Sequence, residues 1–217
     1  MAINRLVPAP RLGRETLDNY AVHLTVPTDL TVLTSGVSQD DSRFVADGIR
    51  SFGVILGRGF EVAGMVSGDT AISALYSDDI EECARLILET AADVIAFYQE
   101  LHGFYPHRSL VILPGDQDPM GGYPLASGIV VINEQAKLAE QPLTRWQFIT
   151  AHEIGHQVWM DYVLEAPRAG WLMIGLGVYA DRAYMLSRGC PGRKLIMRAG
   201  LEAHGFALWH RLYWQLG

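Results

Sequence analysis

Charge and cysteine are both scarce in this chain, and each shortage narrows what it can be. Only 19% of the 217 residues are Asp, Glu, Lys or Arg, against 49% hydrophobic. That balance excludes a globally disordered chain and allows a sizeable core. The net charge is −7. An acidic chain repels phosphate backbones, so nucleic acid is not expected as a partner. The two cysteines, Cys83 and Cys190, are far apart and form no CxxC pair, so neither a zinc ribbon nor a redox dithiol is indicated. Long apolar runs are missing too. No stretch reaches the ~18 residues of a membrane span, and the opening "MAINRLVPAPRLGRE" lacks the apolar centre of a signal peptide. The expectation is a cytoplasmic protein with no membrane partner.

What the chain does contain falls into three parts. Residues 1–19 are Pro- and Arg-containing without periodicity and read as an arm or linker. Residues 20–75 are β-rich. "YAVHLTVP" alternates, with Ala21, His23 and Thr25 on one face and Val22, Leu24 and Val26 on the other, and "TVLTSG", "RFVADG" and "FEVAGMVSGDTAISALYS" continue in short strands. From 76 to 217 the pattern is mixed. A helix is predicted over 78–102, with acids in its first turn, where the helix dipole favours them, and an apolar stripe from Ile80 to Tyr98. A buried strand is predicted near 109–113, a loop over "DQDPMGGYPLAS", and a second strand in "GIVVINEQ". Further helices are predicted over about 145–163, 171–187 and 193–215, the first opened by a capping box of Thr144 and Gln147.

The chemistry is concentrated in "ITAHEIGHQVWMDY". His152, Glu153 and His156 stand in the spacing HExxH. On a helix, positions four apart share a face, so both imidazoles can point at one ion. Glu153, beside the first histidine, suits a general base acting on water.

Several stretches resemble the aminopeptidase N-like family of gluzincin zinc metallopeptidases. "VPTDLTVLTSG" is similar to the end of that family's N-terminal β-domain, and "RFVADGIRSFGVILG" to the segment entering its catalytic domain. "IAFYQELHGFYPHRSLVILP" resembles the helix, turn and strand before the active site. "MGGYPLASGIVVIN" resembles the substrate loop and edge strand, and "HEIGHQVW" and "WLMIGLGVYAD" follow in order. The resemblance covers roughly 20–188. It implies an α+β, thermolysin-like (gluzincin) catalytic domain preceded by the end of a β-rich N-terminal segment. It also implies one zinc ion held by His152 and His156, and hydrolysis of peptide bonds with Glu153 as general base.

Two family positions are not matched. Aligned on "WLMIG", the third zinc ligand falls on Ile174, and the family's gap of eighteen residues lands on Gly175; neither can bind zinc. Asp181 is a candidate second-shell residue, orienting a histidine, or a substitute ligand; Glu165 and Asp161 are further candidates. In the substrate loop Gly121, Gly122 and Tyr123 match, but the glutamate that holds a peptide's amino terminus becomes Pro124, with Asp116, Asp118 and Glu134 nearby. The family's oxyanion tyrosine is matched by no residue, and the helical region that carries it in the family, beyond both metal helices, is expected to be lacking here. Two expectations stand side by side: a zinc peptidase, impaired or not, acting on a peptide substrate, and a degenerate peptidase-like domain that binds a peptide or protein without cutting it. Metal binding is expected to be weak, with one zinc ion at most.

Overall fold

The structure, a computed structural model, describes residues 16–77, 80–115, 121–133, 135, 143–163 and 170–189. The first strands are β1 (Asp18–His23), β2 (Thr31–Thr34), β3 (Val37–Ser38), β4 (Arg43–Ile49) and β5 (Val54–Gly57). β1, β4 and β3 form an antiparallel sheet in that order, and β2 pairs with β5. The expected alternation in β1 is present: Tyr20 and Val22 are half-buried, Ala21 and His23 exposed.

A mixed sheet follows, made of β6 (Glu61–Ser67), β7 (Thr70–Tyr76), β8 (Ser109–Gly115), β9 (Gly122–Ala126) and β10 (Ile129–Asn133). Its order is β6-β7-β8-β10-β9, so it crosses the 75/76 boundary drawn from composition. β7, β8 and β10 are parallel neighbours, while β6 and β9 are antiparallel edges. Helix α1 (Glu81–His102) makes the crossover from β7 to β8. Strands covered on both faces read as continuous apolar runs, and "LVIL" and "IVVI" are such runs. Leu110, Ile112, Val130 and Ile132 pack with the Ala84, Ile87, Leu88, Ala91 and Ile95 stripe of α1. Val111, Leu113, Ile129 and Val131 face the other way, onto Ile55 and Leu75.

Helix α2 (Leu143–His156) continues without a break into a π-helical segment, Gln157–Tyr162, and α3 covers Gly170–Ser187. Three sequence expectations are corrected here. "GYPLA" is a strand, β9, not loop: its Gly and Pro residues weaken the local signal, but an edge strand tolerates both. "GIVVIN" is then not the edge but an inner strand, paired on both sides by β8 and β9. And α2 begins at Leu143, so Thr144 lies inside its first turn and is not its cap. Glu165, Asp116, Asp118, Glu134, Cys190 and the helix expected at 193–215 lie outside the described residues. Among the described residues no helix is long and apolar enough to cross a membrane.

Candidate metal centre

His152 and His156 lie one turn apart on α2, and their rings meet with Nε2 atoms 3.1 Å apart. Two zinc-bound nitrogens at about 2.0–2.1 Å and a tetrahedral angle stand roughly 3.3 Å apart, so the pair is set close to what one ion requires. His152 Nδ1–H donates to Asp181 Oδ2 on α3 at 2.7 Å. That bond fixes the ring's orientation and leaves Nε2 for the shared face. Phe148 stacks on His152 with centroids 5.9 Å apart. Glu153, only 3% exposed, sits beside the pair, and among the described residues its Oε2 has no hydrogen-bond partner; neither has the buried Asp181 Oδ1.

The glycine of "HEIGH" explains how the helices come so close. A methyl group on Gly155 would lie 2.9 Å from Tyr98 Oη on α1 and 3.3 Å from Asp181 Oδ1 on α3. Any side chain there would push all three helices apart. One turn later on α2 and one turn earlier on α3, a methyl on Gly177 would lie 4.0 Å from Trp159 Cδ1. The two helices therefore run antiparallel along the site. Gly177 is the α3 position one turn from Asp181, in the direction of His156 and Trp159.

Burial and charge pull the site's pKa values apart. Burial works against protonation of His152, but the carboxylates of Asp181 and Glu153 more than offset it and raise the ring to about 9. Burial, reinforced by the charge on His152, pushes His156 down to about 3. Burial lifts Glu153 to about 7, with His152 opposing and Asp181 adding to the rise. Burial also raises Asp181, against the pull of His152. His156 is thus a neutral acceptor across the physiological range, and Glu153 is poised to take or give a proton near neutrality.

Strand β9 passes directly beside Glu153. A methyl on Gly122 would come within 2.7 Å of Glu153 Cγ and would collide with the Val131 carbonyl oxygen, so only glycine lets the strand approach this closely. Asn133 N–H donates to the Gly121 carbonyl at 2.7 Å, and in the register Ile132↔Gly122, Val131↔Tyr123, Val130↔Pro124 hydrogen-bonded pairs alternate with non-bonded ones. Pro124 therefore falls in a non-bonded pair. Its missing N–H is on the free side of the edge, where β10 loses nothing.

The structure brings His152, Glu153, His156 and Asp181 together beside Gly122; Gly121 and Tyr123 flank that glycine in the chain, but the Tyr123 side chain packs on the opposite face of the sheet, with Ile55 and Leu75. Asp181 touches His152 rather than joining the histidine face. Asp161 is elsewhere: its Oδ1 accepts from Ser127 and its Oδ2 lies 3.2 Å from His107 Nε2. The backbone of Ile174 is helical within α3; its side chain lies outside the described ones, as does all of Glu165. Among the described residues no group of three or more His, Cys, Asp and Glu side chains is arranged to hold a metal ion. Sequence reasoning passed over Gln157, Ser127 and Arg50, which tie the end of the HExxH helix to the β9–β10 hairpin. The one signal for Gln157 was its place four residues after Glu153 and four before Asp161, in a polar row along one side of the predicted helix.

No protein-family model matches the chain, and no curated protein matches it at a significant level.

Proposed function

We propose that this protein is a zinc metallopeptidase-like protein of the aminopeptidase N type, with a reduced metal site. The observation that carries the reading is the His152–His156 pair, with Nε2 atoms 3.1 Å apart, braced by Asp181 and flanked by buried Glu153. The donor set suits zinc as far as it goes. His152 and His156 would hold the ion, and zinc, when bound, would supply Lewis-acid polarisation. Asp181 keeps His152 in the tautomer that offers Nε2. Glu153 Oε2, buried and without a partner, can take a proton from water and return it to a leaving amine. The free edge of β9, beside Glu153, can pair with the backbone of an extended peptide. Pro124 offers it a carbonyl but no N–H, and no carboxylate to seize a peptide's amino terminus.

Two neutral imidazoles without a protein carboxylate make a weak zinc site. That favours the second reading, a peptide-binding domain that has lost efficient cutting. Zinc titration followed by hydrolysis of amino-terminal and internal peptide substrates separates them. Zinc binding that needs both histidines, with cleavage abolished in Glu153→Gln, supports a peptidase. Peptide binding that is indifferent to zinc and to Glu153→Gln supports the binding domain. Absence of zinc binding at millimolar metal would remove the proposal.

A further inference from the structure

Immediately after His156 the helix changes its winding, and the first residue of the π segment, Gln157, is fully buried. Its side chain reaches the turn between β9 and β10. Oε1 accepts the N–H of Gly128 at 2.6 Å. Nε2 donates toward the carbonyl oxygens of Ala126 at 3.3 Å and Ile129 at 3.4 Å. Farther along the segment, Asp161 Oδ1 accepts from Ser127 Oγ at 3.0 Å. Ser127 Oγ in turn accepts the N–H groups of Arg50 and Ser51, both at 3.1 Å. The Arg50 guanidinium closes the ring by donating to the carbonyl oxygens of Asp161 and Tyr162, the latter at 2.8 Å.

The turn needs holding. The β9–β10 register shifts between Ile129 and Val130, where Ala126 and Pro124 are the partners. A bulge of this kind leaves a hairpin free to settle in neighbouring registers unless something pins it. Gln157 bonds the pair on the turn side of that irregularity, Ala126 on one strand and Ile129 on the other. Apolar packing alone would let the strand slide; three directional bonds to one side chain do not. At its other end β9 rests on Glu153 through Gly122. One helix therefore grips the strand at both ends, four residues apart in its own sequence.

We propose that Gln157, assisted by Asp161, is a positioning residue that sets the offset of β9 along the HExxH helix. It thereby decides which bond of a peptide paired on the β9 edge lies beside Glu153. A slip of one residue moves a strand by about 3.3 Å, enough to bring a different bond to the carboxylate. The proposal rests on the peptidase reading above.

The test uses Gln157→Met, which keeps length and burial but not the bonds, and Gln157→Glu, which restores the acceptor for Gly128. Ser127→Ala, which removes the Asp161 link and the acceptor for the Arg50 and Ser51 N–H groups but leaves Gln157 in place, serves if Gln157→Met does not fold. Zinc titration, backbone hydrogen exchange and mapping of cut sites in a ten-residue peptide with zinc are read for each. Gln157→Met should leave zinc affinity within about threefold of wild type, since both histidines and Asp181 remain. Exchange in 122–126 should quicken about tenfold while 109–113 stays protected, the scale of losing one net hydrogen bond. Cleavage should spread from one bond to its neighbours, with KM rising more than kcat falls, and Gln157→Glu should recover part of the selectivity. Uniformly faster exchange across the whole sheet, or an unchanged cut site with lower kcat alone, would overturn the proposal and make Gln157 an ordinary core residue. If the wild type binds zinc but cuts nothing, the peptidase reading fails and so does the claim about the scissile bond, while exchange still decides whether Gln157 anchors β9.

Discussion

The two halves of the helix that carries HExxH send their polar side chains to different neighbours. From His152 to His156 they point at one another and at a neighbouring carboxylate, leaving Glu153 Oε2 and Asp181 Oδ1 buried without partners. From Gln157 to Tyr162, Gln157 and Asp161 reach the adjacent hairpin, the first bonding its backbone and the second the Ser127 hydroxyl, and the segment's last carbonyls are capped by Arg50. Buried polar atoms without partners are costly, and Trp159 Nε1 and Asp161 Oδ2 in the second half also lack a hydrogen bond among the described residues, so the halves differ in where their side chains point rather than in how fully they are satisfied. The second half is scaffold, and it is what keeps the first in place.

The sharpest way to test this contrast is to complete the open half. Gly177 is the α3 position one turn from Asp181 toward His156, and Trp159 Cδ1 is the only described atom within 4 Å of a methyl placed there. Gly177→Glu should raise zinc affinity by at least about 100-fold, above the scale that a partner of a ligand commands. Ile174→Glu, three residues or about 4.5 Å farther along the axis, should gain less. Calorimetric titration of both variants checks this. The reverse order would mean that the alignment of "WLMIG" locates the third ligand better than the packing of α3 on α2 does.

Weakening the open half gives the next effect in size. Asp181→Asn should lower zinc affinity about 10- to 100-fold through the loss of the carboxylate that orients His152. An unchanged affinity would show that His152 needs no brace. The proton on His152 gives a third effect. Its pKa is raised to about 9, so below that pH zinc must displace a proton from the ring. Affinity should be highest above pH 9 and fall about tenfold per unit as the pH drops toward 7. A flat profile over that window would mean that the ring is already neutral without metal.

The smallest effect should come from the scaffold half. Arg50→Met removes the cap on the Asp161 and Tyr162 carbonyls, where a cation favours the helix C-terminus. Thermal or urea unfolding should show a loss of about 1–3 kcal/mol, with zinc affinity within about twofold. A large loss of zinc affinity in Arg50→Met would erase the distinction between the halves.

The parts of this molecule legible in the sequence are those set by spacing within one element. The four-residue interval of His152 and His156 places both on one face of any helix, and the apolar runs of β8 and β10 mark strands covered on both sides. Strand β9 was illegible because Gly122 and Pro124 are poor strand residues; Glu153 requires the glycine, and the sheet edge tolerates the proline. The role of Asp161 was illegible for a different reason. An acid five residues past His156 has no visible partner until the chain brings Ser127 and His107 against it.

By itself the sequence determined that two imidazoles and a carboxylate share one turn of one helix, since 3.6 residues per turn leave no other outcome. Only the tertiary structure decided what surrounds them. It set the level of α3 against α2, through the bare Cα of Gly155, and so assigned Asp181 to His152 and placed Gly177 one turn away against Trp159. It also laid β9 along the same helix, gripped by Glu153 at one end and Gln157 at the other. Those offsets depend on side-chain volume and hydrogen bonds between elements far apart in the chain, and no periodicity within a single element records them.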